Sequence, residues 1–326
     1  FLKKELLMGA KRFDIEPIHN DGTLEAMEYG AKATQFRRLA NLGLPVPSGL
    51  CVPRELVGRA VTNRDFRISK ELKNLEGLYA MRASPGQREW GSTDAILNLG
   101  MSDAHAERIA VKIGPRASLE IYRRFIQNFS TSVYGLESEI FEKIYLEETG
   151  LIHVQRESFL DEEILLSIVR ISKNTFQQEV GHDFPQSLEE QLDLAFSAMA
   201  RSWYRPSAKI LRSTRGAPDN AGVGVIFQQM AFGIGPKVSG SGRINTIDRE
   251  TGEVKITGYF IPNSQGNDTL TDFGESFVLS EDQRMREVKT VKSLERVDSK
   301  SFETIQDIVK QTIMTLGEVY ELEFTI

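Results

Sequence analysis

Between residues 219 and 252 short runs of β-branched and aromatic residues alternate with glycine-rich breaks. Gly222-Val223-Gly224-Val225-Ile226-Phe227 suits a buried strand, because such side chains pack well on a pleated surface. Gln228-Gln229-Met230-Ala231-Phe232 extends it, and Gly233, Gly235 and Pro236 stop it. Ser239-Gly240-Ser241-Gly242 predicts a tight bend poor in side chains, residues 243–247 a second strand, and residues 248–252 a hairpin turn. This strand, hinge and strand fit a cleft between two lobes, in which the backbone of Gln229, Met230 and Ala231 meets a flat heterocycle. They fit equally an ordinary hairpin in an antiparallel sheet.

Around that stretch, Phe36, Leu39, Ala40 and Leu42 recur at helical spacing, in a helix that Gly30 opens and Gly43 ends. Leu44-Pro45-Val46-Pro47-Ser48-Gly49-Leu50 predicts an extended entry into a strand, since each proline disfavours helix in the residue before it. Residues 77–82 read as a short strand, 83–93 as an exposed loop, and 94–100 as renewed regular structure. Residues 1–20 open with a short helix followed by an alternating run from Arg12 to Ile18. From Asp103 to about Gln191 helical periodicity dominates, over 119–129, 138–147, 161–174 and 189–203, which predicts a helical insertion. After Ile210 the pattern turns to β until Phe277; 302–316 returns as an amphipathic helix, and 321–326 as a final strand. No internal repeat stands out.

A chain of 326 residues predicts two or three packed units with ample core. A net charge of −6 supplies no global basic field, so neither nucleic acid nor an anionic membrane surface is an expected partner. No stretch approaches the roughly 20 apolar residues of a membrane span. The single cysteine, Cys51, excludes an intrachain disulfide framework and points to a reducing, cytoplasmic setting. It sits in an apolar run and reads as a small buried hydrophobe. The first residue is not methionine and the end falls inside a predicted strand, so a longer polypeptide is expected.

Lys32 stands at a predicted helix N-terminus just after Gly30, which suits a phosphate anchor or, more plainly, a solvated lysine. Arg82 closes a strand before the loop Ser84-Pro85-Gly86-Gln87-Arg88-Glu89-Trp90-Gly91, where it would clamp a polyphosphate or form a surface ion pair. Trp90 at the loop tip would cover a cleft or pack on a neighbouring helix. Glu321 and Glu323 lie two apart on a strand, hence on one face, and suit Mg²⁺ or a solvated sheet edge. The four histidines are scattered and show no metal-ligand spacing.

Several of these motifs, in this order, resemble those of the pyruvate phosphate dikinase and phosphoenolpyruvate synthase family. Gly30-Ala31-Lys32-Ala33 with Gly43-Leu44-Pro45-Val46-Pro47-Ser48-Gly49 is similar to its opening. Met81-Arg82-Ala83 with Asp94-Ala95-Ile96-Leu97-Asn98-Leu99-Gly100 resembles its arginine and glycine-loop element. Tyr122-Arg123-Arg124-Phe125, Phe184-Pro185-Gln186, Arg201-Ser202-Trp203, Gln229-Met230-Ala231-Phe232-Gly233 and Glu323-Phe324-Thr325-Ile326 are similar to the dikinase branch.

The resemblance implies an α+β fold with ATP-grasp-like nucleotide-binding lobes and a helical insertion. The first lobe would take 1–102, joined by about 204–238, the insertion 103–203, and the second lobe 239–326. It implies ATP and Mg²⁺ as cofactors, and transfer of a phosphoryl or pyrophosphoryl group to a histidine on a separate domain. Lys32 and Arg82 would be the catalytic pair holding phosphates. Asp94 would join the nucleotide contacts, Gln229, Met230 and Ala231 would hold adenine, and Glu321 and Glu323 would face the metal. The resemblance leaves room for a homodimer.

The chain also departs from the family. Its phosphorylatable T-S-H motif and Q-T-R strand are absent from this sequence, T-R-N-P reads Thr246-Ile247-Asp248-Arg249, and Tyr259 replaces an acidic residue. A catalytically degenerate relative, serving as a nucleotide-binding regulatory or interaction module, is therefore the alternative. An ATP-grasp ligase with a small acid substrate is a more distant third reading.

Overall fold

The computed structural model describes residues 14–72, 75–91, 93, 95–150, 160–235, 238–247, 253–264, 276–286, 291–316 and 321–326. Its first elements are β1 (Glu16–Pro17), α1 (Ala26–Tyr29), α2 (Ala31–Asn41), β2 (Gly49–Val52), α3 (Arg54–Thr62), β3 (Tyr79–Pro85) and β4 (Ile96–Leu99). Helices follow: α4 (Asp103–Ile113), α5 (Pro115–Phe129), α6 (Ser138–Thr149), α7 (Glu162–Val180), α8 (Leu188–Tyr204) and α9 (Pro206–Thr214). The last stretch holds β5 (Val223–Gln229), β6 (Gly240–Ile247), β7 (Val254–Pro262), β8 (Phe277–Val278), α10 (Glu281–Arg286), α11 (Leu294–Val297), α12 (Ser299–Leu316) and β9 (Glu321–Thr325). Neighbouring strands within each sheet run antiparallel, and helices are the larger part of the chain, so the fold class is α+β.

One compact unit comprises residues 1–100, 128–136 and 185–230. Its sheet runs β1-β2-β5-β3-β4. Register puts Cys51, Ile226 and Arg82 in one row on one face. There Ile18, Leu24, Tyr29, Ala33, Cys51 and Ile226 form a buried cluster with Phe36, Ala40 and Val46 against it, which seats α1 and α2. Phe227 faces the other way and stacks on Phe196 of α8 at 6.2 Å between ring centres. Helix α8 begins where the Ser187 hydroxyl accepts the Glu190 N–H at 3.1 Å, satisfying an amide the helix itself leaves over. At its other end the Trp203 indole donates to the Ala221 carbonyl at 3.1 Å. Arg212 of α9 lies 3.9 Å over that ring and donates to the Trp203 carbonyl at 2.6 Å.

The other unit comprises residues 101–127, 137–184 and 231–326. In its helical part Phe125 and Phe176 meet Phe184 edge-on at 5.6 and 5.1 Å. The Tyr122 hydroxyl and the Lys173 ammonium both donate to Asp103, each at 2.8 Å from Oδ1. Buried Glu120 is satisfied by Arg116 and Arg124, one turn away on either side, at 3.1 Å each. In its sheet part the strand order is β8-β7-β6-β9. Ile244, Phe260 and Phe277 pack against the apolar stripe Phe302, Ile305 and Val309 of α12.

The helices predicted over 34–42, 119–129, 138–147, 161–174, 189–203 and 302–316 and the final strand are present, with boundaries a few residues away from the periodicity, while the expected opening helix lies outside the described residues. Three expectations change. Helix α9 runs through Ile210 to Thr214, where a turn to β was read; nine residues opened by Pro206 are too short for a clear apolar stripe. Helix α3, also of nine residues, escaped the pattern for the same reason. Gly240, Ser241 and Gly242 belong to strand β6 and not to a bend. Those glycines are needed because Phe260 and Phe324, stacked at 6.1 Å, lie over them: a Cβ would come within 2.5 Å of Phe260 at Gly240 and 2.6 Å of Phe324 at Gly242. The expected turn over 248–252 lies outside the described residues. No helix among the described residues is long and apolar enough to cross a membrane.

Candidate functional site

The first group of expected site residues is organised by a close crossing of backbones. Ser84 of β3 pairs with Gly224 of β5, and the chain at Tyr29 and Gly30 passes directly over that pair. A Cβ on Gly30 would lie 1.8 Å from the Ser84 carbonyl oxygen, and one on Gly224 would lie 2.2 Å from the Tyr29 carbonyl oxygen. Gly30 also has φ +89°, a backbone conformation that side chains disfavour. The Ser84 hydroxyl then accepts the Ala33 N–H at 3.1 Å, pinning the first turn of α2 to the sheet.

Lys32 sits exposed in that first turn. Arg82, half-buried, lies two residues before Ser84 and so on the same face of the sheet. Lys32 and Arg82 thus share one side of one unit, a short step on either side of the Ala33–Ser84 bond.

The loop after β3 is more closed than its sequence suggests. Trp90 is 3% exposed, and its ring would meet a Cβ on Gly86 at 3.1 Å, so it packs into its own loop. Gly91, with φ +84°, makes room for Arg215, whose Nη1 would stand 2.6 Å from a Cβ there. Asp94 lies outside the described residues.

At the end of β5 the Gln229 N–H donates to the Ser48 carbonyl at 2.8 Å and the Met230 N–H to the Leu78 carbonyl at 2.9 Å. Two of the three expected backbone donors are therefore engaged inside the protein. The Gln229 side chain is exposed, Met230 half-buried and Ala231 exposed.

Glu321 and Glu323 do share a face of β9, and Arg243 of the neighbouring β6 lies between them. Its Nη1 is 2.8 Å from Glu321 and its Nη2 3.3 Å from Glu323. Arg243 pairs with Glu323 on one side and Tyr259 on the other, so the three form a row across the sheet. The Tyr259 hydroxyl and Arg243 Nε are buried without a hydrogen-bond partner among the described residues.

As ligands for Mg²⁺ the two carboxylates do not fit this arrangement. The ion needs hard oxygens in an octahedral shell, and here a guanidinium occupies the space between them with its own positive charge. Among the described residues no group of three or more His, Cys, Asp and Glu is placed to hold a metal ion.

Cys51 is fully buried, and burial, outweighing the nearby Arg37, pushes its thiol up to about 12; it is the inert hydrophobe its flanks suggested. His105 is held below its ordinary value by burial and by Arg108 and Lys112. Sequence reasoning missed Ser84 as a helix anchor, Arg215 beside the glycine loop and Arg243 as the partner of the acidic pair. Each acts through strand register or a backbone crossing, and no local spacing encodes those.

No protein-family model matches the chain. Among curated proteins it is 27% identical over 318 residues to a pyruvate, phosphate dikinase from Rhizobium meliloti, covering 91% of this chain and 35% of that protein. It is 28% identical over 321 residues to a pyruvate, phosphate dikinase from Clostridium symbiosum, with the same coverage of 91% and 35%. A chloroplastic pyruvate, phosphate dikinase from Flaveria pringlei is 29% identical over 261 residues, 74% of this chain and 27% of that protein. The chain spans about a third of the length of the first two curated relatives, 35% of each.

Proposed function

We propose that this chain, a relative of the pyruvate, phosphate dikinases, is the ATP-binding portion of a phosphotransferase of that type, built as ATP-grasp lobes with a helical insertion. It takes a phosphoryl or pyrophosphoryl group from ATP and passes it to a histidine on a domain outside this sequence. Similarity over 91% of the chain to two such dikinases carries the reading. The crossing at Gly30 and Ser84 supports it, since it ties the first turn of α2, which carries Lys32, to β3, which carries Arg82.

In this reading Lys32 and Arg82 neutralise and orient the phosphates, which is most of what phosphoryl transfer asks of a protein. Asp94 adds a polar contact to the nucleotide. The adenine lies at the end of β5 and uses Ala231 and strand-end carbonyls, because the Gln229 and Met230 amides are engaged elsewhere. A divalent ion arriving with ATP would screen charge between its phosphates. The protein acts in the cytoplasm, with room for a homodimer.

Calorimetry of the whole polypeptide with ATP tests this. Binding should weaken about tenfold or more in Lys32→Ala and in Arg82→Ala, as charge-assisted phosphate contacts are lost. Absence of binding in the wild type would overturn it.

A second reading, a degenerate relative that regulates or docks without transferring phosphate, draws on the Arg243 bridge to Glu321 and Glu323. It predicts ATP binding without phosphorylation of any histidine when a dikinase histidine domain is added.

A further inference from the structure

We propose that Arg243 is a built-in cation that closes the Glu321 and Glu323 pair to divalent metal ions. Strand register puts Arg243 and Glu323 directly opposite each other, and Glu321 opposite Asn245, two residues along the same face. Four groups with oxygen donors, Glu321, Glu323, Asn245 and Tyr259, thus share one polar face around a single guanidinium. The opposite face holds Ile244, Phe260, Leu322 and Phe324 and is committed to the core.

The geometry explains why the arginine excludes a metal. Its two terminal nitrogens are divided between the two carboxylates, at 2.8 and 3.3 Å, so one side chain draws both acids together and half-neutralises them. A divalent ion entering between them would displace both contacts and meet a positive charge within a few ångströms. Arg243 offers a planar fork of donors, which suits it to pairing with two carboxylates at once. At 27% exposure it is also more shielded than Glu323, at 67%, so the bridge is anchored from the sheet outward. Removing the arginine would leave two carboxylates and two further oxygen donors on one face, the donor set a hard cation prefers.

Electron paramagnetic resonance of Mn²⁺ with the full chain reads this directly. The wild type should show no Mn²⁺ binding that depends on Glu321. Arg243→Ala and Arg243→Gln should each gain one site, on the order of tenfold tighter or more, that disappears when Glu321→Gln is added. Circular dichroism establishes that the variants are folded. Glu321-dependent Mn²⁺ binding in the wild type would overturn the proposal, as would folded Arg243→Ala and Arg243→Gln proteins that both gain nothing.

A separate nucleotide arm tests the ATP-binding reading, on which the role of Arg243 does not depend: ATP binding by the wild type is measured with Mg²⁺ and with a chelator. If ATP binds under neither condition, the functional reading fails while the Mn²⁺ result still decides the role of Arg243.

Discussion

The Ala33 amide donates to the Ser84 hydroxyl at 3.1 Å across 51 residues of sequence, and this bond ties the start of a helix to the end of a strand. It stands in for the local side-chain cap that α2 lacks, because the residue before the helix is Gly30. Lys32 is one residue from the bond and Arg82 two, so the geometry of both depends on it. Ser84→Ala is expected to cost about 1 kcal/mol, the usual worth of a lost cap, read as a lower urea midpoint.

Gly30→Ala is expected to cost far more, about 4 kcal/mol or enough to prevent soluble accumulation, because a Cβ would sit 1.8 Å from the Ser84 carbonyl oxygen. Gly43→Ala separates the two causes. That residue also has positive φ, +75°, yet nothing lies within 4 Å of its Cβ position, so only the backbone strain of about 1–2 kcal/mol applies. Equal losses in the two variants would remove the backbone crossing as the explanation.

Cys51 supplies a probe of opening in the first sheet. It is 0% exposed and its thiol is raised to about 12, so at pH 8 the native protein should not react with a thiol reagent. Reaction should begin only through the urea transition. Prompt labelling of the folded protein would mean that the cluster of Ile18, Tyr29, Ala33 and Ile226 opens on its own.

These tests also mark where the sequence was readable. The run over 222–227 became β5, and the period of Phe302, Ile305 and Val309 became α12, since burial on one side imposes an alternation or a 3.6-residue repeat. The α+β class was implied by the family resemblance, and those patterns agree with it. The contacts that shape the candidate site did not, because Ala33 with Ser84, and Arg243 with Glu321, are 51 and 78 residues apart and meet only through the pairing of strands and helices. A glycine is visible in sequence, but the ring or carbonyl that requires it is not. That is why Gly240 and Gly242 read as a bend when they are a strand beneath Phe260 and Phe324.

Arg212 should behave as a structural residue despite its charge. It is 6% exposed, lies 3.9 Å over the Trp203 ring and donates to the Trp203 carbonyl at 2.6 Å. Arg212→Met keeps much of the volume and loses both interactions, for an expected cost of about 2–3 kcal/mol. Tryptophan fluorescence should report it, since Trp203 is one of two tryptophans in the chain. An unchanged urea midpoint would mean that the cation–π contact and the hydrogen bond are offset elsewhere.

Acid should loosen the second sheet's edge through Glu281. The Ser293 hydroxyl, first, and then Arg284 hydrogen-bond its carboxylate and hold its pKa below the ordinary carboxylate value. Ser293 also caps α11, accepting the Arg296 N–H at 3.2 Å, so a single hydroxyl links two short helices. Because the folded-state pKa is the lower one, the unfolded chain takes up the proton first. The stabilisation is therefore complete above the unfolded value of about 4.3 and is lost as pH falls through the folded value. Glu281→Gln, which cannot titrate, should be less stable than wild type at pH 7, and the gap should close as pH falls through the folded value. Urea midpoints at a series of pH values give the difference directly. A gap between the two proteins that stays constant from pH 7 to pH 3 would show that the carboxylate's charge contributes nothing there.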